Sequence, residues 1–346
     1  MKAVRFHKFG GADVLVCEDV PVPRPGRGEV VIGLKAAALN HIDVWLRKGV
    51  AEKNLKMPHI PGSDGAGVVA EAGEGVGAPL PGENVLVSPG ISCGVCGFCL
   101  EGRDNFCPSF YTVGTKYDGT YAEYVKIPAV NAVPVPPGLS FEQAASVPLV
   151  FLTSWHMLVS LARIARGDTV LVHGAASGVG SAAVQIAKLF GAFVIATAGT
   201  EEKLKKAMDM GADEGINYTQ DGFAEEVKRL TGKKGVDVVF EHIGGKIFSD
   251  SIPLLSKGGR LVTCGATSDF NAKIDLRYVF SRQLSVYGSY LGTKRELLEL
   301  LKFFGETGHG IRFRPVIDSV FPLERAAEAQ LRMEGRNVSG KIVLSI

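Results

Sequence analysis

The sequence has no run approaching the roughly 18 consecutive apolar residues of a membrane-spanning helix. It also lacks an excess of either charge. Its 38 Lys and Arg stand against 36 Asp and Glu, a net charge of +2, and both signs are spread along the whole chain. A nucleic-acid partner needs a clustered basic face, so none is expected. The opening residues, MKAVRFHKFGGADVLV, read as a strand that turns at Gly10-Gly11. The basic head and apolar core of a secretory leader are missing there. Internal repeats and low-complexity segments are missing as well. These absences predict a soluble, cytoplasmic protein with neither a membrane nor a nucleic-acid partner.

What is present is ordinary in bulk and specific in detail. With 346 residues, 46% hydrophobic and 21% charged, the chain has room for two domains, each with its own core. Its 43 glycines are nearly twice the usual share. They fall in tight turns and at strand-to-helix junctions, where backbone freedom is needed.

The rhythm changes part-way along. Up to about residue 145, short β-like stretches (GEVVIGLKAAALN, GAGVVAEAG, NVLVSPG, YAEYVKIP) are broken by Pro and Gly. Pro21, Pro23 and Pro25 mark a loop, and the stretch from Val133 to Gly138 marks the exit. From about residue 150, strands alternate with helices. DTVLVHGAA reads as a buried strand and SGVGSAAVQIAKLFGA as a helix. The strand AFVIATAG, a helix from Glu201 to Met210, the strand GINY, the helix FAEEVKRLTG and the strands VDVVFEHIG and GGRLVTCGA follow. Such alternation predicts right-handed crossovers and a parallel sheet covered on both faces. After about residue 290 come a helix (KRELLELLKFFGETG), a strand near PVIDSVFPL, and a last helix and strand. This tail is expected to return to the first domain, which gives domains of 1–148 with 292–346, and 149–291.

The segment Ala175-Ala-Ser177-Gly178-Val179-Gly180-Ser181, between a strand and a helix, suits a dinucleotide. Small residues let the backbone approach a pyrophosphate, and free amides at the helix start meet its charge. Glycines that serve only close packing are the alternative, disfavoured by the strand before, the helix after and the further β/α units. NAD-binding sites usually place an acid at the end of the second strand. Here Thr197-Ala-Gly-Thr200 stands there, with Lys203 one helical turn on, suited to a 2′-phosphate. NADP(H) is therefore favoured, although Glu201 and Glu202 weaken the electrostatic case.

Four of the six cysteines form the pattern Cys93-x2-Cys96-x2-Cys99-x7-Cys107. Closely spaced thiolates of this kind suit one tetrahedral zinc, and four protein ligands make it structural rather than catalytic. Disulfides are disfavoured in a reducing compartment, and nothing else in the chain suggests an iron–sulfur cluster. Cys17 and Cys264 lie in apolar stretches and read as small buried hydrophobes.

With Gly62-Ser-Asp-Gly-Ala-Gly67, the cysteine lobe and the Ala-Ala-Ser-Gly-Val-Gly-Ser turn in hand, the whole chain resembles the medium-chain dehydrogenase/reductase superfamily. It is most similar to the quinone oxidoreductase branch, from residue 1 to Gly340-Lys-Ile-Val-Leu344. The resemblance implies an α/β protein with a GroES-like (chaperonin-10 type) β-barrel domain, an inserted Rossmann domain with a doubly wound parallel sheet, and an active site in the cleft between them.

The departures from the zinc alcohol dehydrogenases of that superfamily are informative. Where those enzymes carry catalytic metal ligands, this chain has Asn40, Ser63 and a residue at about Leu149, with Asp64 in place of Glu. A relay hydroxyl is replaced by Ile42. Asn, Ser and Leu make a poor zinc site, and His41 with Asp64 falls short of three ligands. Without a Lewis acid, simple alcohol oxidation is hard, whereas conjugated acceptors need less help. The branch resemblance places Asn40, Asp43 and Trp45 at the substrate and Thr153 near the nicotinamide. Asn40 and Thr153 are then carbonyl-polarising donors, and Asp43 is either an orienting residue or a helix cap. Ser177, Gly178, Val179 and Gly180 match the pyrophosphate turn, Lys203 and Tyr218 the 2′-phosphate contacts, and Gly265 a position near the nicotinamide. His242 faces the cofactor or packs within its loop. The strand-like run Arg282–Gly288 matches an edge that pairs across a two-fold axis, so a homodimer is expected.

The leading expectation is an NADPH-dependent reductase of quinones or α,β-unsaturated carbonyl and enoyl substrates, with one structural zinc, acting on a small molecule. A zinc alcohol dehydrogenase with atypical ligands and a non-catalytic NADPH-binding protein are the alternatives.

Overall fold

The computed structural model describes residues 1–305 and 313–346. The chain forms two compact units, Met1–Leu149 with Thr293–Ile346, and Val150–Gly292. Among the described residues no helix is long and apolar enough to cross a membrane.

The first unit is mostly β. Strands β1 (Lys2–Phe6) and β2 (Leu15–Asp19) form a hairpin. They are followed by β3 (Glu29–Ala38), helix α1 (His41–Arg47), β4 (Asp64–Ala72), β5 (Asn84–Val87) and β6 (Gly90–Ile91). Helix α2 (Gly97–Leu100), β7 (Tyr111–Thr112), β8 (Tyr124–Pro128), β9 (Ala132–Pro134) and α3 (Phe141–Ala145) complete the N-terminal part, and α4 (Pro148–Trp155) begins at its end. A seven-stranded sheet runs β16-β17-β3-β4-β5-β9, with β8 also paired to β3; its last two strands are supplied by the returning tail. Alternation sets its faces. Val30, Ile32 and Leu34 of β3 join Val69, Val85, Val87, Val125 and Ile127 in one core. Ala37 and Leu39 join Ile342, Leu344 and Tyr121 in another.

The second unit alternates as its sequence predicts. It holds β10 (Thr169–Val172), α5 (Gly178–Leu189), β11 (Phe193–Ala198), α6 (Glu201–Asp209), β12 (Glu214–Asn217) and α7 (Phe223–Leu230). Then come β13 (Val236–Glu241), α8 (Gly245–Ser251), β14 (Leu255–Thr263), α9 (Leu276–Ser281) and β15 (Ser285–Gly288). All six strands are parallel, in the order β12-β11-β10-β13-β14-β15. This is a doubly wound sheet whose order reverses beside β10, the switch point where such folds take ligands at the strands' carboxyl ends. The central strands bury residues on both faces, so Val170-Leu-Val172 and Val238-Val-Phe240 are continuous apolar runs.

The tail returns to the first unit as α10 (Lys294–Leu300), β16 (Ile317–Pro322), α11 (Ala326–Glu334) and β17 (Lys341–Ser345). Helix α10 is shorter than its sequence pattern suggests. A 3₁₀ turn at Leu301–Phe303 succeeds it, and residues 306–308, the end of the anticipated helix, lie outside the described residues. Cys17 and Cys264 are half-buried, not fully buried as anticipated.

Strand β4 approaches β3 so closely at Gly67 that a methyl group there would stand 2.1 Å from the Gly33 carbonyl and 2.8 Å from the Leu34 Cα. Both obstacles are backbone in a sheet core, so Gly67→Ala is expected to cost more than about 2 kcal/mol in urea unfolding. Gly77→Ala, with nothing within 4 Å, is the neutral control.

Candidate functional site

Two residues beyond β3, Asn40 caps α1 with extended backbone. Asp43, at the third helical position, reaches back so that its Oδ2 accepts the Asn40 amide at 2.8 Å. The same oxygen accepts the Tyr121 hydroxyl at 3.0 Å. Of the two readings of Asp43, the structure displays the helix cap directly. Burial pushes its carboxyl up to about 7, against the Asn40 amide, the Lys341 ammonium and Tyr121, which favour the anion.

The Asn40 side chain points into a closed polar cluster. Its Nδ2 donates to Asp64 Oδ2 at 2.9 Å, with a longer approach to the Ala38 carbonyl at 3.5 Å. Its Oδ1 accepts from Lys341 Nζ at 2.6 Å. Lys341 also donates to the Leu39 carbonyl at 2.7 Å and to Asp64 Oδ2 at 2.9 Å, which uses all three of its hydrogens. The other Asp64 oxygen accepts the Leu149 amide at 3.0 Å. Asp64 and Lys341 are 0% and 4% exposed, so this is a buried, fully bonded ion pair. The Ser63 hydroxyl turns away and donates to the Val113 carbonyl at 2.8 Å.

This geometry amends the expectation for Asn40: its amide hydrogens face Asp64 and Ala38, and its oxygen faces an ammonium. Sequence reasoning missed Lys341. Its signal was one charged residue heading the apolar run Ile342-Val-Leu344 of the closing strand.

The residues expected for a catalytic metal do not fit one. An amide, a hydroxyl bonded elsewhere and a leucine offer zinc no ligand set, and both oxygens of Asp64 already accept N–H groups. Among the described residues, the one convergent set of three or more His, Cys, Asp or Glu donors is Cys93, Cys96, Cys99 and Cys107. Their sulfurs all lie within 4.8 Å of one another, with Cys96 to Cys99 at 3.5 Å and Cys93 to Cys99 at 4.0 Å. Tetrahedral zinc with bonds of about 2.3 Å spaces its sulfurs by about 3.8 Å, so this set fits the ion. The lobe is braced by Arg103, stacked 5.2 Å from the Phe98 ring and 5.0 Å from that of Phe106. Asp104 accepts the first amide of α10, from Lys294, at 3.3 Å.

In the second unit, Ser177, Gly178, Val179, Gly180, Lys203, Tyr218 and Gly265 follow the carboxyl ends of strands. Ser177 caps α5, its Oγ accepting the Gly180 amide at 3.0 Å, and Gly178 and Val179 open that helix. A methyl at Gly180 would stand 2.2 Å from the Gly174 carbonyl, so glycine is required for the turn to close. Strand β11 ends at buried Ala198, and Thr200 caps α6 at the Lys203 amide. Glu201 is held by Asn217 at 3.2 Å and Glu202 by Lys206 at 2.9 Å. Both acids beside Lys203 are therefore engaged. The Tyr218 hydroxyl lies 3.1 Å from where a Gly199 side chain would begin, across the end of β11. Gly265 follows β14, its carbonyl accepting from Thr263 at 3.2 Å. Thr153 lies on α4 and is 5% exposed.

Two family models match the chain: an alcohol dehydrogenase GroES-like domain over residues 26–137 and a zinc-binding dehydrogenase over residues 178–306. Human (Homo sapiens) quinone oxidoreductase is 32% identical, over 99% of this chain and 97% of its own length. The chain is a medium-chain dehydrogenase/reductase. Within the superfamily it is also similar to an NAD-dependent alcohol dehydrogenase of Sulfolobus acidocaldarius, 32% identical over the full length of both. A crystal structure of an NAD-dependent alcohol dehydrogenase superimposes with a TM-score of 0.96, at 49% identity over all of both chains. Oxidoreductase chemistry on a small molecule, with a nicotinamide cofactor, follows from this membership.

Two predictions test the buried cluster. Lys341→Met strands the Asp64 carboxylate and is expected to cost about 3–5 kcal/mol in urea unfolding. Adding Asp64→Asn should recover most of that loss; no recovery would mean that the ion pair is not what the lysine serves. Asp43 holds its proton in the folded state up to about pH 7, but in the unfolded chain only to its ordinary value of 3.8. Stability from this group is thus greatest below pH 4 and declines as pH rises to 7. Asp43→Asn keeps an acceptor for Asn40 and Tyr121 while removing that titration. Its melting temperature relative to wild type should climb between pH 4.5 and pH 7.5, and a pH-independent difference would refute the assignment.

Proposed function

We propose that this chain reduces an activated acceptor, a quinone or an α,β-unsaturated carbonyl or enoyl compound, with NADPH and without a catalytic metal. The closed Asn40–Asp64–Lys341 cluster carries this reading, because the positions that would ligate a metal are committed to internal hydrogen bonds. A bound dihydronicotinamide supplies hydride. Quinones and enones accept hydride at carbon and delocalise the charge onto oxygen, so they depend least on a Lewis acid. The full-length similarity to quinone oxidoreductase supports the acceptor class.

On this reading Ser177, Gly178, Val179 and Gly180 hold the pyrophosphate, and Lys203 with Tyr218 meets the 2′-phosphate. Gly265 and Thr153 lie near the nicotinamide. Asn40 and Asp43 build the floor of the substrate site; Asn40 positions the ion pair and Asp43 fixes the start of α1. Cys93, Cys96, Cys99 and Cys107 hold one structural zinc, which supplies a closed crosslink for the lobe. A homodimer paired along the β15 edge and a cytoplasmic setting complete the proposal.

A second reading, alcohol oxidation with NAD, is favoured by the 49% identical crystal structure of an NAD-dependent alcohol dehydrogenase. One experiment separates the two. Oxidation of NADPH and NADH is followed against quinones, enals and enoyl thioesters, and reduction of NAD and NADP against simple alcohols, with zinc counted per chain. The expected result is one zinc per chain and NADPH-driven reduction that survives mild chelation while the fold persists. Two zinc ions with chelator-sensitive alcohol oxidation would establish the second reading.

A further inference from the structure

His242 follows β13 and is 9% exposed, with its imidazole packed beneath the glycine-rich turn. Its Nε2 lies 3.0 Å from the His173 carbonyl oxygen and 3.3 Å from Ser177 Oγ. A methyl at Gly174 would stand 3.0 Å from that same nitrogen, so the ring lies flush against the turn. The backbone carbonyl can only accept, which places the hydrogen on Nε2, where it is shared between that carbonyl and the more distant Ser177 oxygen; a protonated Nε2 cannot accept from the serine. Burial pushes the imidazole down to about 4, so the ring is neutral at physiological pH and carries a single N–H hydrogen.

The consequence falls on Ser177. Its oxygen receives the Gly180 amide at 3.0 Å from one side and faces the His242 N–H from the other. A hydroxyl has two acceptor positions and one hydrogen. With both lone pairs engaged, the hydrogen of Ser177 is left for an outside acceptor, at the start of a twelve-residue helix.

We propose that His242 is a positioning residue for the dinucleotide: it occupies the second lone pair of Ser177 and so presets that hydroxyl as a donor to a pyrophosphate oxygen. The inference rests on reading this turn as the cofactor site and adds a residue outside the glycine motif. It calls for no contact between His242 and the cofactor. The imidazole acts through the serine.

The test is a double-mutant cycle on the full-length protein, read as the Kd of NADPH by fluorescence titration and as its KM and kcat in turnover. Ser177→Ala and His242→Phe are each expected to weaken NADPH binding about tenfold, the scale of a hydrogen bond to a charged group. The double variant should be no weaker than the poorer single variant, and the loss should fall on Kd and KM rather than on kcat. Equal losses from His242→Phe with and without Ser177, or no loss in the wild-type background, would overturn the proposal. Melting temperatures are taken for all four proteins. Should His242→Phe unfold, His242→Asn repeats the cycle with a polar side chain too short to reach Ser177. If the wild type binds NADH instead, the cycle runs on NADH, whose pyrophosphate is the same. Failure of the wild type to bind either nucleotide would overturn the cofactor reading itself, and this inference with it.

Discussion

The buried pairing of Lys341 with Asp64 is the constraint around which the first unit is arranged. One ammonium ties the end of β3, through the Leu39 carbonyl and Asn40, to the start of β4. It does so from β17, which reaches the sheet after the chain has passed through the whole second unit. Taking two charges out of water is costly, and only full hydrogen bonding offsets it. That bonding is complete here. The cluster therefore behaves as a self-contained unit: each partner satisfies another, and none is left over for a divalent ion. A chain that keeps the superfamily's architecture thus closes this cluster with internal hydrogen bonds.

The second unit holds its strand ends with a different set of buried polar groups. At the strand ends, His173 is placed between Thr197 and Ser251, and Glu241 accepts the amides of Ile243 and Gly244 and the hydroxyl of Thr263. Burial holds Glu241 above its ordinary value and lowers His173 to about 3. These side chains fix the loops after β10, β13 and β14 through buried hydrogen bonds. The amides and glycines of the turn are thereby held ready for an anion, in keeping with the positive end of α5.

Much of the fold was legible in the sequence because its signals are local. The continuous apolar runs of β10 and β13, the Ser177 cap and the cysteine spacing each depend on neighbours a few residues apart. Gly180 could be read as a close approach, and Asp43 as a cap, from spacing alone. What escaped was non-local. Lys341 looked like an unremarkable first residue of a closing strand, since its partners stand 277 to 302 residues away. Asn40 was read as a donor to substrate because its amide was considered without the ammonium that turns it. His242 was recognised but left between two roles, since its bond to Ser177 spans two strands.

The strand order of the first sheet bears on how the protein is made. Asn40 and Lys341 stand 301 residues apart, and β17 lies inside the sheet, between β16 and β3. During translation the second unit has emerged completely before β17 exists, so the Rossmann-type sheet can close while the first is still missing an inner strand. Asn40, Asp64 and the apolar edge of β3 must wait, exposed or transiently covered, for a partner roughly 15–60 s behind at ordinary elongation rates. For that interval the nascent chain carries a finished domain and an open one, and chaperones that shield unpaired strand edges would meet it there.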